Sequence, residues 1–189
     1  MKGIRRSLRE KIAHLRVLAG DADAFGYFYD RYAPKIYRFV LLKTSSQELA
    51  QDITHDVFLA AWEQTMKDKK IGNFQAFLFT LARNKISDYY RDKERQTTLL
   101  EASTEAESLT SQPTKVDPSD INQLQKQVLK LKAEYQEVVL LRHVEGLSIE
   151  EISLILGKDK NSVRVTLHRA IAKLRSFYKK EDDTPAKEN

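Results

Sequence analysis

The sequence predicts an all-α protein of two small helical domains joined by a flexible linker, with a helix-turn-helix in the C-terminal domain. Only 6 Gly and 4 Pro occur among 189 residues, and few stretches alternate polar with β-branched residues, so no sheet is expected. One segment interrupts the helical pattern, because it is rich in Ser, Thr, Gln and acidic residues and contains Pro113 and Pro118. We therefore expect domains at residues 1–95 and 121–180, an acidic linker at 96–120 and a disordered tail at 181–189.

Charge and composition limit the class of protein further. The formal net charge is +5 and the sequence pI is about 9.2, which favours a polyanionic partner. No Cys occurs, so disulfides, thiolate zinc sites and cysteine nucleophiles are excluded, and a reducing cytoplasm fits. There is no run of about 18 apolar residues, and the basic N-terminal stretch has the spacing of an amphipathic helix, so direct membrane insertion is not expected.

A long helix is predicted in the N-terminal domain, from a cap at Ser45 with Glu48 as its capping-box partner to about Gln64. Its apolar residues fall on two faces, one containing Ile53 and the other Trp62. Three ionisable residues argue against complete burial: Asp52, His55 and Asp56. The pattern leaves two interpretations equally open, a central helix of a small bundle or a helix docked onto a partner.

The next predicted helix, about Phe74 to Arg91, interleaves aromatic residues with cations. This composition suits single-stranded nucleic acid, because bases stack on rings while cations contact phosphates. Four of its residues are expected to lie mostly in the core: Phe77, Leu78, Leu81 and Tyr89. Asn84 and Lys85 are the expected contacts, and the preceding loop, at 67–73, is expected to surround an extruded base.

Two short helices joined by a tight turn are predicted in the C-terminal domain. Ser148 can cap the first helix, and Glu151 can return the hydrogen bond as a capping box. Gly157 offers the left-handed conformation that ends many helices, and Asp159 can cap the second helix. This arrangement is typical of a helix-turn-helix, whose second helix enters the major groove of DNA.

The second of these helices has one apolar and one cationic face. The residues expected to pack inward are Val163, Leu167, Ala170, Ile171 and Leu174. The outer arc carries Val165, His168, Arg169, Ala172 and Ser176, flanked by Arg164, Thr166, Lys173 and Arg175. Eight Lys or Arg and one acidic residue lie between Lys158 and Lys180, a bias that favours a DNA contact over a solvated basic helix.

Eight fragments occur in a distinctive order: Asp21–Phe25, Tyr29–Pro34, Glu48–Phe58, Phe77–Asn84, Asp88–Arg91, Glu137–Arg142, Glu145–Ile152 and Leu167–Ala170. In this order and spacing they resemble the sigma-70 family of bacterial transcription initiation factors, specifically the extracytoplasmic-function (ECF) type. The resemblance implies that the first domain binds core RNA polymerase and opens the −10 element, and that the second recognises the −35 element of promoter DNA.

The resemblance also assigns residues to each role. Those implied for polymerase are Asp52, His55, Asp56 and Phe58. Those implied for the −10 element are Asn73, Phe74, Asn84, Lys85, Asp88 and Arg91. Those implied for the −35 element are Ser162, Arg164, Val165, Thr166, His168 and Arg169. The chain departs from its relatives at His55 and Asp56, where Gln and Glu are usual, and at Val165 and Thr166, where Ser and Arg are common.

Further partners follow from the same resemblance. An anti-sigma protein is expected, and the acidic linker is hypothesised to run toward the RNA exit path of polymerase. No cofactor, metal or small-molecule substrate is expected, because the four His are scattered and neither a glycine-rich phosphate loop nor a nucleophile elbow occurs. Two rival interpretations are a dimeric helix-turn-helix regulator that acts without polymerase and an interaction protein that sequesters other factors.

Overall fold

The structure is a computed structural model that describes residues 12–13, 15–17, 21–67, 71–103 and 123–182. Every regular element in these ranges is helical, as predicted. The chain divides into two compact units, Met1–Thr114 and Lys115–Asn189. Parts of the predicted N-terminal helix, base-holding loop, linker and tail lie outside the described residues, at 1–11, 14, 18–20, 68–70, 104–122 and 183–189.

The first unit contains three long helices, α1 (Ala22–Thr44), α2 (Gln47–Lys67) and α3 (Phe74–Ser103), and each packs on the other two. Asp21 caps α1, because its Oδ1 accepts the Ala24 N–H at 3.2 Å. The residues that the resemblance implies for polymerase lie on α2, and most of those implied for the −10 element lie on α3.

Aromatic rings fill the space between α1 and α3. The ring centroids of Phe28 and Phe74 lie 4.2 Å apart, and those of Phe39 and Phe79 lie 5.4 Å apart in an edge-to-face pair. All four side chains are buried. Aromatic pairs of this kind contribute about 0.5–1.5 kcal/mol beyond the area that they bury, so this cluster adds to the stability of the unit.

The junction between α1 and α2 differs from the prediction by one residue. Ser45, the predicted cap of α2, ends α1 instead: its φ is 54°, in the left-handed region, and its N–H donates to the Leu41 carbonyl at 2.8 Å. Ser46 caps α2 by accepting the Leu49 N–H at 3.3 Å. The two adjacent serines fit the same local pattern, and the position at which α1 ends decides which of them is the cap.

α3 is longer than the sequence pattern predicts. It continues past Arg91 to Ser103 and so includes residues 96–103, which the pattern places in the linker. The physical reason lies in the composition of residues 92–103, which contain no Gly or Pro and several strong helix formers. The Pro residues that mark the linker begin only at Pro113.

The second unit comprises α4 (Gln123–Leu129), α5 (Ala133–Val139), a π-helical turn (Leu140–Val144), α6 (Ile149–Leu156) and α7 (Lys160–Asp182). The sequence predicts one supporting helix over about 123–143, whereas the chain turns between α4 and α5. Gln136 stabilises this turn, since its side-chain amide donates to the carbonyls of Leu129 and Leu131, both at 2.9 Å.

The core of the second unit lies between α5, the π-helical turn, α6 and α7. Its fully or almost fully buried apolar residues include Val138, Leu141, Leu147, Ile152, Ile155, Val163 and Ala170. Burying one large aliphatic side chain contributes about 1.5–3 kcal/mol, so this small core can hold α7 in a fixed orientation.

Candidate nucleic-acid interface and polymerase surface

α6 and α7 form the predicted helix-turn-helix. The Ser148 hydroxyl accepts the Glu151 N–H at 3.1 Å, and the Glu151 carboxylate accepts the Ser148 N–H at 2.8 Å. Gly157 ends α6 with a φ of 62°. Asp159 caps α7, accepting the Ser162 N–H at 2.9 Å. The predicted capping box, left-handed turn and second cap are therefore confirmed.

α7 also has the predicted inward and outward faces. Val163 and Ala170 are fully buried, while Val165 is 47% exposed despite being apolar. The other exposed residues of the outer face are Arg164, His168, Arg169, Ala172, Lys173 and Arg175. Thr166 is half-buried, so it lies at the edge of this face. An exposed Val among cations suits the major groove of DNA, where thymine methyl groups are accessible and phosphates lie along the edges.

Two of the cations counted in the sequence are paired with acidic residues. Lys158 Nζ lies 2.5 Å from Glu134 of α5, and Lys160 Nζ lies 2.5 Å from Glu150 of α6. A sequence count cannot detect these pairs, because the partners lie 24 and 10 residues away. Within residues 158–175, all of which the structure describes, four cations form no ion pair with the described part of the chain: Arg164, Arg169, Lys173 and Arg175.

The first turn of α7 holds a network of side-chain hydrogen bonds. The Ser162 hydroxyl donates to the Asp159 carboxylate, and this bond, with the Ser162 backbone N–H, lowers the pKa of Asp159 below its ordinary value. Asn161 Oδ1 accepts from Arg164 Nη1 at 2.9 Å. Ser162 is predicted as a −35 contact. In the structure its hydroxyl and its backbone N–H both donate to the Asp159 carboxylate that caps α7.

Two residues expected at the −10 element also have structural roles. Asn73 caps α3, with its Oδ1 accepting the Ala76 N–H at 2.9 Å. Phe74 is buried, with its ring against Phe28. One side chain thus supports the helix start and the other the core, and their direct contact with DNA stays a prediction.

The remaining −10 residues lie along α3. Asn84 is exposed. Lys85 Nζ lies 3.0 Å from Asp56 Oδ2 on α2, so a residue predicted for DNA is paired with one predicted for polymerase. Asp88 and Arg91 form an ion pair at 2.7 Å within α3.

Two neighbouring tyrosines extend this surface. Tyr89 is 39% exposed and Tyr90 is 41% exposed, with ring centroids 5.4 Å apart. The expectation that Tyr89 lies mostly in the core is wrong, because α3 turns this side chain away from α1 and α2 toward solvent. Partial burial, together with the neighbouring Tyr89 hydroxyl, raises the pKa of Tyr90 above its ordinary value. The alternation of aromatic residues with cations along α3 is the sequence pattern that could have placed Tyr89 and Tyr90 on the candidate DNA surface.

α2 presents the surface predicted for polymerase. Asp52, His55 and Asp56 are exposed, as expected. Phe58 is buried, with its ring centroid 4.8 Å from that of Tyr29, so it packs in the core of this unit, and its contact with polymerase stays a prediction. The sequence alone leaves the burial of Phe58 ambiguous, because the apolar residues of α2 fall on two faces of the helix. Leu59 beside it is 60% exposed.

A groove of about 450 Å³ lies between α1 and α2 next to this surface. It is lined by Tyr29, Asp30, Ala33, Pro34, Tyr37, Gln51, Thr54 and His55. Pro34 lies inside α1 and lacks an N–H, which leaves the Asp30 carbonyl without its usual helical donor. Sequence periodicity did not indicate this groove, because it depends on how two helices pack.

Within the described ranges, no helix combines the length and apolar character needed to cross a membrane, and no cluster of three or more His, Asp or Glu is arranged to hold a metal ion. The exposed surfaces described above suit macromolecular partners. They are the cationic face of the helix-turn-helix in the second unit, and, in the first unit, the acidic face of α2 and the exposed tyrosines of α3.

Comparison with known families identifies both units. Residues 28–96 match the family description "Sigma-70 region 2", and residues 121–174 match "Sigma-70, region 4". The RNA polymerase sigma factor YlaC of Bacillus subtilis is 30% identical over 160 residues, covering 81% of this chain and 91% of YlaC. The ECF RNA polymerase sigma factor BldN of Streptomyces coelicolor is 31% identical over 167 residues, covering 84% of this chain but only 62% of BldN.

Solved structures share the fold. CnrH, in a complex with the cytosolic domain of CnrY, matches with a TM-score of 0.68 and 22% identity over 93% of this chain and 99% of CnrH. The sigma factor RpoE from Bartonella quintana, in a complex with the anti-sigma factor NepR, matches with a TM-score of 0.65 and 23% identity over 82% of this chain and 96% of RpoE.

The molecule is therefore a transcription initiation factor by class. The chain belongs to the sigma-70 family of RNA polymerase sigma factors and is of the ECF type. Sigma factors associate with RNA polymerase and direct initiation at specific promoters.

Proposed function

We propose that this chain brings core RNA polymerase to promoters by placing α7 on the −35 element, α3 at the −10 element and α2 on the polymerase. The observation that carries the proposal is the combination of a cation-faced helix-turn-helix with a separate unit that exposes two tyrosines beside cations. A dimeric repressor needs only the first of these. Under this proposal the protein is not an enzyme and acts in the bacterial cytoplasm, with one domain at about 1–95 and the other at about 121–180.

At the −35 element, Arg164 and Arg169 are the proposed guanine contacts, because Arg can donate to O6 and N7 together. Val165, 47% exposed, is placed to touch a thymine methyl group. Lys173 and Arg175 supply phosphate contacts that orient α7. Each bidentate Arg–guanine pair discriminates against a wrong base by about 1–3 kcal/mol.

At the −10 element, Tyr89 and Tyr90 are the proposed stacking platform for bases of the opened strand. Stacking on an aromatic side chain is worth about 1–3 kcal/mol per base. Asn84 is exposed on the same helix and is proposed to bond a base edge, while Lys85 and Arg91 contact phosphates once their acidic partners are displaced. Phe74 acts indirectly by anchoring the start of α3 in the core.

On polymerase, the proposed contact surface is the exposed face of α2 with the adjoining groove. Asp52, His55 and Asp56 supply charge and hydrogen bonds, and Leu59 supplies an apolar contact. The groove between α1 and α2 can receive side chains from the clamp of the largest polymerase subunit. Since the acidic residues are exposed, a partner can reach them without any rearrangement of α2.

Two further elements of the proposal concern regulation and the linker. We propose an anti-sigma factor as an additional partner; the related RpoE structure is a complex with such a factor. We also propose that the acidic segment within 96–120 runs toward the RNA exit path, where its charge would match a channel made for RNA. Neutralising Glu101, Glu105 and Glu107 should then alter abortive initiation and promoter escape.

The test is transcription by purified bacterial core polymerase on a library of DNA fragments, with and without the chain, followed by mapping of RNA 5′ ends. New start sites that share two upstream motifs are expected. Asp52→Arg should abolish them, whereas Asp23→Arg, the same charge reversal at an exposed residue of α1, should not. Binding to duplex DNA without any new start site would instead support the repressor.

A further inference from the structure

The side chain of Asn161 lies against the guanidinium of Arg164 in the first turns of α7. Asn161 Oδ1 accepts from Arg164 Nη1 at 2.9 Å, across the three-residue spacing that brings side chains together on a helix. The backbone N–H of Asn161 donates to Asp159 Oδ1 at 2.9 Å. Hydrogen bonds therefore run from the helix cap to the guanidinium, through one amide residue.

This contact restricts Arg164 without using up its capacity to bind DNA. Arg has five N–H donors, and the bond to Asn161 uses one of them. The Nη2 edge of the guanidinium, with the second hydrogen on Nη1, stays available for the two acceptors of guanine in the major groove. A side chain whose conformation is already restricted loses less conformational entropy when it binds. The hydrogen bond from Asn161 should therefore favour the base pair that fits the restricted position of the Arg164 guanidinium.

We propose that Asn161 is a positioning residue that sets base preference within the −35 element through Arg164. This inference rests on the proposed function, in which α7 recognises that element. Asn161 need not touch a base, because its effect on DNA passes through the guanidinium. It joins the specificity determinants of α7 although it was absent from the residues that the sequence pattern indicated.

Two substitutions separate this role from simple support of the helix. Asn161→Ala removes the acceptor but keeps the backbone N–H that bonds to Asp159, and Ala is the better helix former, so the fold and the cap are retained. Asn161→Asp keeps an acceptor at the same place and adds a negative charge near the DNA phosphates. The first change should affect discrimination between bases, and the second should affect affinity for all sequences.

The experiment uses the full chain bound to core polymerase and a promoter library in which the −35 element is randomised, with transcripts counted for each sequence. Arg164→Ala should reduce discrimination at one base pair by about 5- to 150-fold, the range expected for a bidentate contact. Asn161→Ala should reduce discrimination at the same base pair by about 2- to 5-fold, the lower range for one exposed hydrogen bond. The double variant should match Arg164→Ala.

Asn161→Asp should keep the preference at that base pair while lowering output from all promoters. The proposal would be overturned if Asn161→Ala lowered output uniformly, if it relaxed a different base pair, or if Arg164→Ala relaxed none. A wild-type holoenzyme that showed no −35 preference at all would refute the proposed function of α7 itself, and this result is visible before any variant is compared.

Discussion

Replacing Asp56 by Asn is expected to increase the affinity of the free chain for a single-stranded −10 oligonucleotide. In the structure, Lys85 Nζ lies 3.0 Å from Asp56 Oδ2, which joins α2 to α3. While this pair is formed, the Lys85 ammonium is partly neutralised and is held away from a phosphate. The ion pair must be broken before Lys85 can contribute fully to DNA binding.

The exposure of the two side chains sets the size of the effect. They are 37% and 56% exposed, which makes this a surface pair worth about 0.2–1 kcal/mol. That range corresponds to about a 1.4- to 5-fold gain in affinity at 25 °C. Fluorescence anisotropy with a labelled oligonucleotide at low salt would measure it, because added salt screens exposed charges.

Asp52→Asn is the matched control, since it removes the same charge from the same face of α2 one turn earlier and Asp52 forms no ion pair with the described part of the chain. The gain from Asp56→Asn should exceed the gain from this control, and the excess should vanish in a Lys85→Gln background. Equal gains in both single variants, or an excess that persists without Lys85, would refute the reasoning.

Three other predictions concern individual residues. Gly157→Ala should destabilise the unit that contains α6 and α7 by about 1 kcal/mol, because the φ of Gly157 is 62°. Gly26→Ala should stabilise the other unit, because Gly26 lies inside α1 with open space around its Cα. Urea unfolding followed by amide hydrogen exchange would measure the change in stability of each unit separately. Tyr90→Ala should weaken single-strand binding by about 1–3 kcal/mol while Tyr90→Phe keeps most of it, and equal losses in titrations would contradict a stacking role. The pKa of Asp159 is lower in the folded protein than its ordinary value of 3.8, so the ionised carboxylate stabilises the fold above that pH. This stabilisation is lost as the pH falls through the lower pKa of the folded state. Asp159→Asn should therefore lose less stability than the wild type between about pH 5 and about pH 3, as measured by unfolding.

Local signals in the sequence were sufficient for the helix-turn-helix. The Ser148–Glu151 capping box and the left-handed Gly157 were predicted correctly because each depends on contacts within a few residues. The α1–α2 junction was missed by one residue for a related reason. Ser45 and Ser46 both offer a capping hydroxyl, and only the packing of α1 determines where that helix ends.

The parts of the site that depend on tertiary contacts could not be predicted in the same way. Phe58 and Phe74 fit either a core or a surface in the sequence, and their burial follows from the packing of α1, α2 and α3. The pair between Asp56 and Lys85 joins residues 29 positions apart, which no helical period connects. Composition likewise counted Lys158 as an available cation, although Glu134 neutralises it.

The ion pairs at the start of α7 have a consequence for counterion release. Six Lys or Arg lie between residues 158 and 175, but two of them already have acidic partners in the protein. A paired ammonium gains little by exchanging a carboxylate for a phosphate, so it displaces few cations from the DNA. If Lys173 and Arg175 each meet one phosphate while Arg164 and Arg169 contact bases, the logarithm of the binding constant should fall with the logarithm of salt concentration with a slope of about −1.8. The slope would be about −3.6 if the two paired lysines contributed as well. The pairing of Lys158 with Glu134 and of Lys160 with Glu150 should therefore make DNA binding by α7 less sensitive to salt concentration.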